Sequence, residues 1–140
     1  MNVEFRTGKM DAADYHFLRT AVGWSSYATQ EIEQGLENTL FTVTAFLENK
    51  AIGMGRVVGD GKLVFYIQDV IVLPEFQNKG IGKRIMEELL KYIDARSVNN
   101  SVIGLMSAVG KDGFYEKFGF VRRPNERMGS GMNIWVAKNR

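Results

Sequence analysis

Apolar and polar positions change period several times along this chain, and each change predicts an element. "VEFRT" (Val3–Thr7) alternates, as a half-buried strand does. Phe17, Leu18 and Ala21 recur at helical spacing behind Asp11, a good N-cap, which predicts a helix from Asp11 to about Ala21. "GWSSYA" (Gly23–Ala28) reads as a loop. Ile32 and Leu36 then share one face of a short helix from about Gln30 to Glu37. From Leu40 to Glu48 the pattern is β-rich, Asn49-Lys50 makes a turn, and Ala51–Val58 is a second strand, weakened or bulged at Gly53 and Gly55. "GDGK" (Gly59–Lys62) is a strong turn signal before a third strand, Leu63–Val72. Such short turns imply an antiparallel meander.

The helical period returns after Pro74. Ile81, Ile85, Met86, Leu89, Leu90 and Ile93 line one face, while Arg84–Glu88 and Glu87–Lys91 are i,i+4 pairs on the other. Ser101–Met106 reads as a strand, Asp112–Phe120 as a short helix capped by Asp112 and stopped by Gly119, and Met132–Lys138 as a last strand. A helical crossover after Val72 makes the next strand parallel to the one before it. The expected fold is a mixed sheet with helices on its faces, α/β or α+β. One domain is expected over residues 1–140, since no repeat or linker interrupts them.

Composition narrows the chemistry. With 45% apolar and 24% charged residues, the chain reads as a soluble globular domain. It has no apolar run of membrane-spanning length and no signal-peptide core near "MNVEFRTGK", so a cytosolic location without a membrane partner is expected. Having no Cys removes a thiolate nucleophile and thiolate metal sites, and a single His, His16, argues against a histidine metal cage, so no metal is expected. A net charge of +2 gives no reason to expect nucleic acid.

"QNKGIGKR" (Gln77–Arg84) then stands out, because a helix begins there with no Ser, Thr, Asp or Asn just before Ile81. A helix N-terminus exposes N–H groups and the positive end of the macrodipole. Glycines let an anionic oxygen approach, and Lys79, Lys83 and Arg84 add positive charge. The segment fails as a Walker loop, with Gln77 and Arg84 where Gly and Ser/Thr belong, and as a dinucleotide fingerprint, with Ile at position 85. Spacing alone leaves two readings: a phosphate cradle, or a Gly-rich turn before a surface helix.

"DVIVLPEFQNKGIGKRIMEELLKYI" (Asp69–Ile93) resembles the acetyl-CoA-binding core of the GNAT family, the Gcn5-related N-acetyltransferases. Gln77-Asn78-Lys79-Gly80-Ile81-Gly82 matches that family's signature, and "GFYEKFGF" (Gly113–Phe120) resembles its second one. Looser similarity runs from "AVGW" to "GSGM". One departure is Ala108 and Lys111, where many members have Asn and Ala. The resemblance implies a mostly antiparallel GNAT-like sheet flanked by helices, with acetyl-CoA as co-substrate. Its pyrophosphate would lie against Gln77, Asn78, Lys79, Gly80, Ile81, Gly82 and Lys83. Backbone N–H groups of Ile71 and Val72 would face the thioester, with Leu73 along the pantetheine. Tyr115 holds the general-acid position.

The implied reaction is direct transfer of an acetyl group to the amine of a small molecule or peptide. Asp69, placed by strand alternation with Phe65, Ile67 and Ile71, is either a poised base or a structural acceptor for backbone N–H groups. Trp24 and Tyr27 are candidates for the acceptor wall, Glu31 and Glu33 can attract a cationic amine, and Arg122–Met132 reads as a flap near the acceptor. A homodimer is one assembly the resemblance allows. The rival reading is an acyl-CoA-binding sensor that keeps the cradle and transfers nothing.

Overall fold

The alternating segments form one sheet: β1 (Glu4–Thr7), β2 (Phe41–Leu47), β3 (Lys50–Gly59) and β4 (Val64–Val72) pair antiparallel in that order. A fifth strand, β5 (Val102–Gly104), follows the helical crossover and lies parallel to β4, as the connection requires. Helices α1 (Ala12–Ala21) and α2 (Thr29–Glu37) sit between β1 and β2, and α3 (Ile81–Arg96) between β4 and β5. This computed structural model describes residues 1–138 and divides into two compact units, Met1–Leu105 and Met106–Arg140. The sheet and α1–α3 belong to the first unit; α4 (Asp112–Glu116) belongs to the second.

Local chemistry explains most boundaries. Asp11 caps α1 by accepting from the Ala13 N–H at 3.1 Å. The β2–β3 turn sits at Glu48 and Asn49, both at positive φ, one residue earlier than the sequence suggested. In the next turn one Asp60 carboxylate oxygen accepts from the N–H groups of Lys62, Leu63 and Val64. On α3, Ile81, Ile85, Met86, Leu89 and Ile93 are buried, while Leu90 is half-buried. On α1 the buried face runs through Tyr15, Leu18 and Arg19, and Phe17 points outward, half exposed.

The irregularity expected of β3 lies at and beside its glycines: the pairing with β4 shifts across Gly55, and the β2–β3 register slips at Ile52, next to Gly53, since Ala45 pairs with Gly53 but Phe46 with Ala51. The two glycines also let α3 lie close on the sheet: a Cβ on Gly55 would stand 2.8 Å from Ile85 Cγ2 and 2.9 Å from Leu89 Cδ1.

A second bulge lies in β4. Arg56 pairs with Gln68 and Met54 with Ile71, so two steps on β3 face three on β4, and Asp69 takes φ 59° there. Its consequence is a change of face. Gly55 looks toward α3, so Val57 and its partner Ile67 share that face, with Phe65 in line. Asp69 bonds to Arg56 and to Tyr15 and Arg19 of α1, on the opposite face. Simple alternation therefore misplaced Asp69: it lines up with Ile71 but not with Phe65 and Ile67.

The second unit departs from expectation at two points. Asp112 is the first residue of α4 rather than its cap, which is Lys111, and the helix ends at Glu116 before Gly119 turns at φ 97°. Met132–Lys138 forms no strand, and Ile134, Trp135 and Val136 are 89%, 85% and 76% exposed. A β-prone apolar run becomes a strand only with a ladder partner, and the described residues give this segment none.

Gly55→Ala is expected to lower unfolding stability by about 1–3 kcal/mol, because the added methyl overpacks the β3–α3 contact. Urea unfolding of the purified chain checks it, and an unchanged midpoint would contradict the close approach.

Candidate functional site

At the start of α3 the N-cap is Gly80, at φ 83° and ψ 3°, and no side chain caps the helix. Asn78 is also left-handed, at φ 62°. Asn and Gly tolerate that conformation better than other residues. The first intrahelical bond runs from the Arg84 N–H to the Gly80 carbonyl at 3.1 Å. The N–H groups of Ile81, Gly82 and Lys83 thus have no intrahelical acceptor, and a Cβ on Gly80 would meet nothing within 4 Å. The helix end is open to an anion.

Neighbouring side chains divide into those that build this end and those that can serve a ligand. Gln77 Nε2 donates to the Val72 carbonyl at 2.9 Å, tying the glycine loop to the end of β4. The Leu73 N–H reaches the Ile52 carbonyl, also at 2.9 Å. The Ile81 side chain is buried, so it offers only its N–H. Arg84 pairs with Glu88 at 3.1 Å and lies 4.8 Å over the Phe5 ring, so its charge is already engaged. Lys79 and Lys83 are exposed at the helix start. Beside them, β5 pairs only with Val64–Tyr66. From Ile67 to Val72, β4 has no strand neighbour on that side among the described residues.

On the other face of the sheet, the Asp69 carboxylate is fully buried. Tyr15 Oη donates to Oδ2 at 2.7 Å and Arg56 Nε to the same oxygen at 2.9 Å. Arg19 Nη1 donates to Oδ1 at 2.6 Å, and Gln68 Nε2 approaches it at 3.4 Å. Of the two readings open at Asp69, this geometry matches the structural acceptor, with side-chain donors in place of backbone N–H groups. Burial first, then the Asp69 charge, pushes the Tyr15 phenol up, so it stays a neutral donor. Burial works against the Arg56 charge, yet the bond to Asp69 holds it above its usual value.

Tyr15, Arg19 and Arg56 went unread in the sequence. The signal was there for two of them: Tyr15 and Arg19 are four apart, on the buried face of α1.

Arg19 extends the cluster into the α1–α2 loop. Its Nε donates to the Ser25 carbonyl at 2.7 Å, and its own carbonyl accepts from the Trp24 N–H at 2.9 Å. Its guanidinium lies 5.4 Å from the Trp24 ring centre and 5.2 Å from that of Tyr27, residues that are 38% and 51% exposed. Both aromatic candidates are therefore gathered on one buried cation. Glu31 accepts from the Ala28 N–H at 3.2 Å, which commits it to the start of α2. His16 is exposed, with Nδ1 2.9 Å from Ser26 Oγ.

In the second unit, Tyr115 on α4 is half-buried, edge-on to Phe114 at 5.0 Å and to Phe120 at 6.2 Å. Burial raises its phenol pKa. The stretch read as a flap is tied by local bonds: Asn125 Oδ1 accepts from the Arg127 and Met128 N–H groups, and Arg123 Nε donates to the Gly129 carbonyl.

The sequence model of a family described as an acetyltransferase (GNAT) domain matches residues 13–135. GCN5-related N-acetyltransferase 1, chloroplastic, of Arabidopsis thaliana is 34% identical over 122 residues, covering 86% of this chain and 59% of that protein. The chain thus spans about three fifths of the length of such curated relatives. Among solved structures, a Staphylococcus aureus protein described as a probable acetyltransferase superposes with a TM-score of 0.88 at 39% identity, covering 96% of this chain and 100% of that one. A GNAT family acetyltransferase of Streptococcus pneumoniae gives 0.81 at 28% identity, covering 99% and 100%.

The folded chain holds the Tyr15 proton more tightly than the unfolded chain does. Its contribution to stability is complete below pH 10.0, the ordinary phenol value, and is lost as pH rises beyond it. Absorbance titration at 295 nm should show Tyr15 ionising late, and Tyr15→Phe should remove that late step.

Proposed function

The chain belongs to the GNAT acetyltransferase family, and on that premise we propose that it transfers the acetyl group of acetyl-CoA directly to a primary amine. The acceptor is a polyamine, an arylalkylamine, an amino-acid-like molecule or a peptide. The observation that carries this reading is the uncapped start of α3, where Gly80 opens the helix and three N–H groups have no intrahelical acceptor. That end fits a pyrophosphate, with the N–H groups of Ile81, Gly82 and Lys83 as donors and Lys79 and Lys83 as charges.

Acetyl-CoA, when bound, supplies the thioester carbonyl and a thiolate leaving group. Just past the β4 bulge, the Val72 N–H faces away from β3 and is offered to the carbonyl oxygen, while the Ile71 N–H faces Met54 across the ladder and holds the strand end in place. Leu73, held by Ile52, continues along the pantetheine. Tyr115 gives its phenolic proton to the departing sulfur; a phenol raised by burial is still protonated at neutral pH and ready to donate. Trp24 and Tyr27 form the acceptor wall. We assign the ammonium proton to water, because both Asp69 oxygens are already engaged.

Thiol release from acetyl-CoA, followed with a thiol-reactive dye across a panel of amines, tests the reading directly, since the protein has no Cys of its own to react. Release that depends on one amine class is expected. CoA binding without release from any amine would favour the sensor instead. Tyr115→Phe should lower kcat by about 10²-fold with little change in KM for acetyl-CoA. Gly82→Leu should raise that KM about tenfold or more, by blocking donors that meet a charged group.

A further inference from the structure

Asp69 has more donors around it than a base can use. A carboxylate offers about four lone-pair sites, and here Tyr15, Arg56, Arg19 and Gln68 all point at its two oxygens. The side chain has no exposed surface. An ammonium proton arriving there would have to displace one of these donors. The same residue takes a left-handed backbone, at φ 59°, where β4 carries one residue more than β3. A non-glycine residue keeps that conformation only when its surroundings over-determine it.

We infer that Asp69 is a positioning residue: one buried carboxylate, clamped by Tyr15, Arg19 and Arg56, sets both the β4 bulge and the loop that carries Trp24 and Tyr27. Two chains of contact lead from it. Along β4, it fixes the bulge two residues before Ile71, and so the direction of the backbone N–H offered to the thioester. Through Arg19, it holds the Ser25 carbonyl and the Trp24 and Tyr27 rings. The donor side and the acceptor side of the reaction are aligned by a single charge. Arg56 anchors the far side of the clamp, since its Nη1 also donates to Thr39 Oγ1 at 2.8 Å. This inference rests on the transferase reading for its catalytic part only.

The test combines pH–rate profiles with hydrogen exchange of residues 23–28. Asp69→Asn keeps the shape of the side chain but leaves two guanidinium groups without their counter-charge. It should lower kcat by about 10²-fold, the scale of a misaligned site, by the same factor from pH 6 to pH 9. Arg19→Gln should raise KM for the amine about tenfold, leave KM for acetyl-CoA unchanged and speed exchange at 23–28, and Arg19→Lys should recover part of both effects. The inference fails if Asp69→Asn abolishes a low-pH limb seen in the wild type, if it retains full kcat, or if Arg19→Gln leaves exchange at 23–28 unchanged. Should Asp69→Asn not fold, Tyr15→Phe keeps both ion pairs: a severalfold lower kcat with the profile unmoved supports the inference, and a displaced limb overturns it. A wild type that transfers to no amine would sink the transferase reading, while the exchange arm would still decide whether the clamp orders the loop.

Discussion

Asp69 brings one negative charge to the place where α1, β3 and β4 meet, and much of the first unit is arranged to receive it. Removing such a group from water is costly, and only close donors offset the cost. Arg19 and Arg56 supply the charge and Tyr15 a neutral hydroxyl. Each donor comes from an element with its own apolar contacts: Leu18 lies beside Arg19 on α1, and Val57 beside Arg56 on β3, both fully buried. The clamp therefore joins surfaces already held by hydrophobic packing. Losing one member of such a set typically costs about 3–5 kcal/mol.

The opposite face of the sheet works by close approach. Gly53 and Gly55 leave room for Ile85 and Leu89, and α3 settles onto the strands. That contact, with the Gln77 bond to Val72, fixes where α3 begins relative to the end of β4. A helix N-terminus favours an anion by its free N–H groups and its dipole, and here the strand end and the helix start are joined by a short, hydrogen-bonded turn. The two faces have different tasks: packing by glycine on one, charge on the other.

The periodic elements were legible because a buried face imposes its period on the sequence. α3 is the clearest case, with five of six expected apolar positions buried. The uncapped glycine start was legible too, since the absence of a capping residue is itself a local signal. Met132–Lys138 shows the opposite limit. Its run of β-prone residues, Ile134-Trp135-Val136, favours a strand locally, yet a strand is defined by a partner, and among the described residues the segment has none.

The sequence by itself determined the order and type of the main elements, the GNAT resemblance and the residues of the uncapped helix start, because these depend on short-range spacing. Tertiary structure alone decided the role of Asp69. Its partners lie 54, 50 and 13 residues away, and one extra residue in β4 turned it from the face that alternation assigned to the face where they wait. Strand period carries no record of a bulge, and a buried carboxylate acquires its chemistry from whatever charges the fold sets around it.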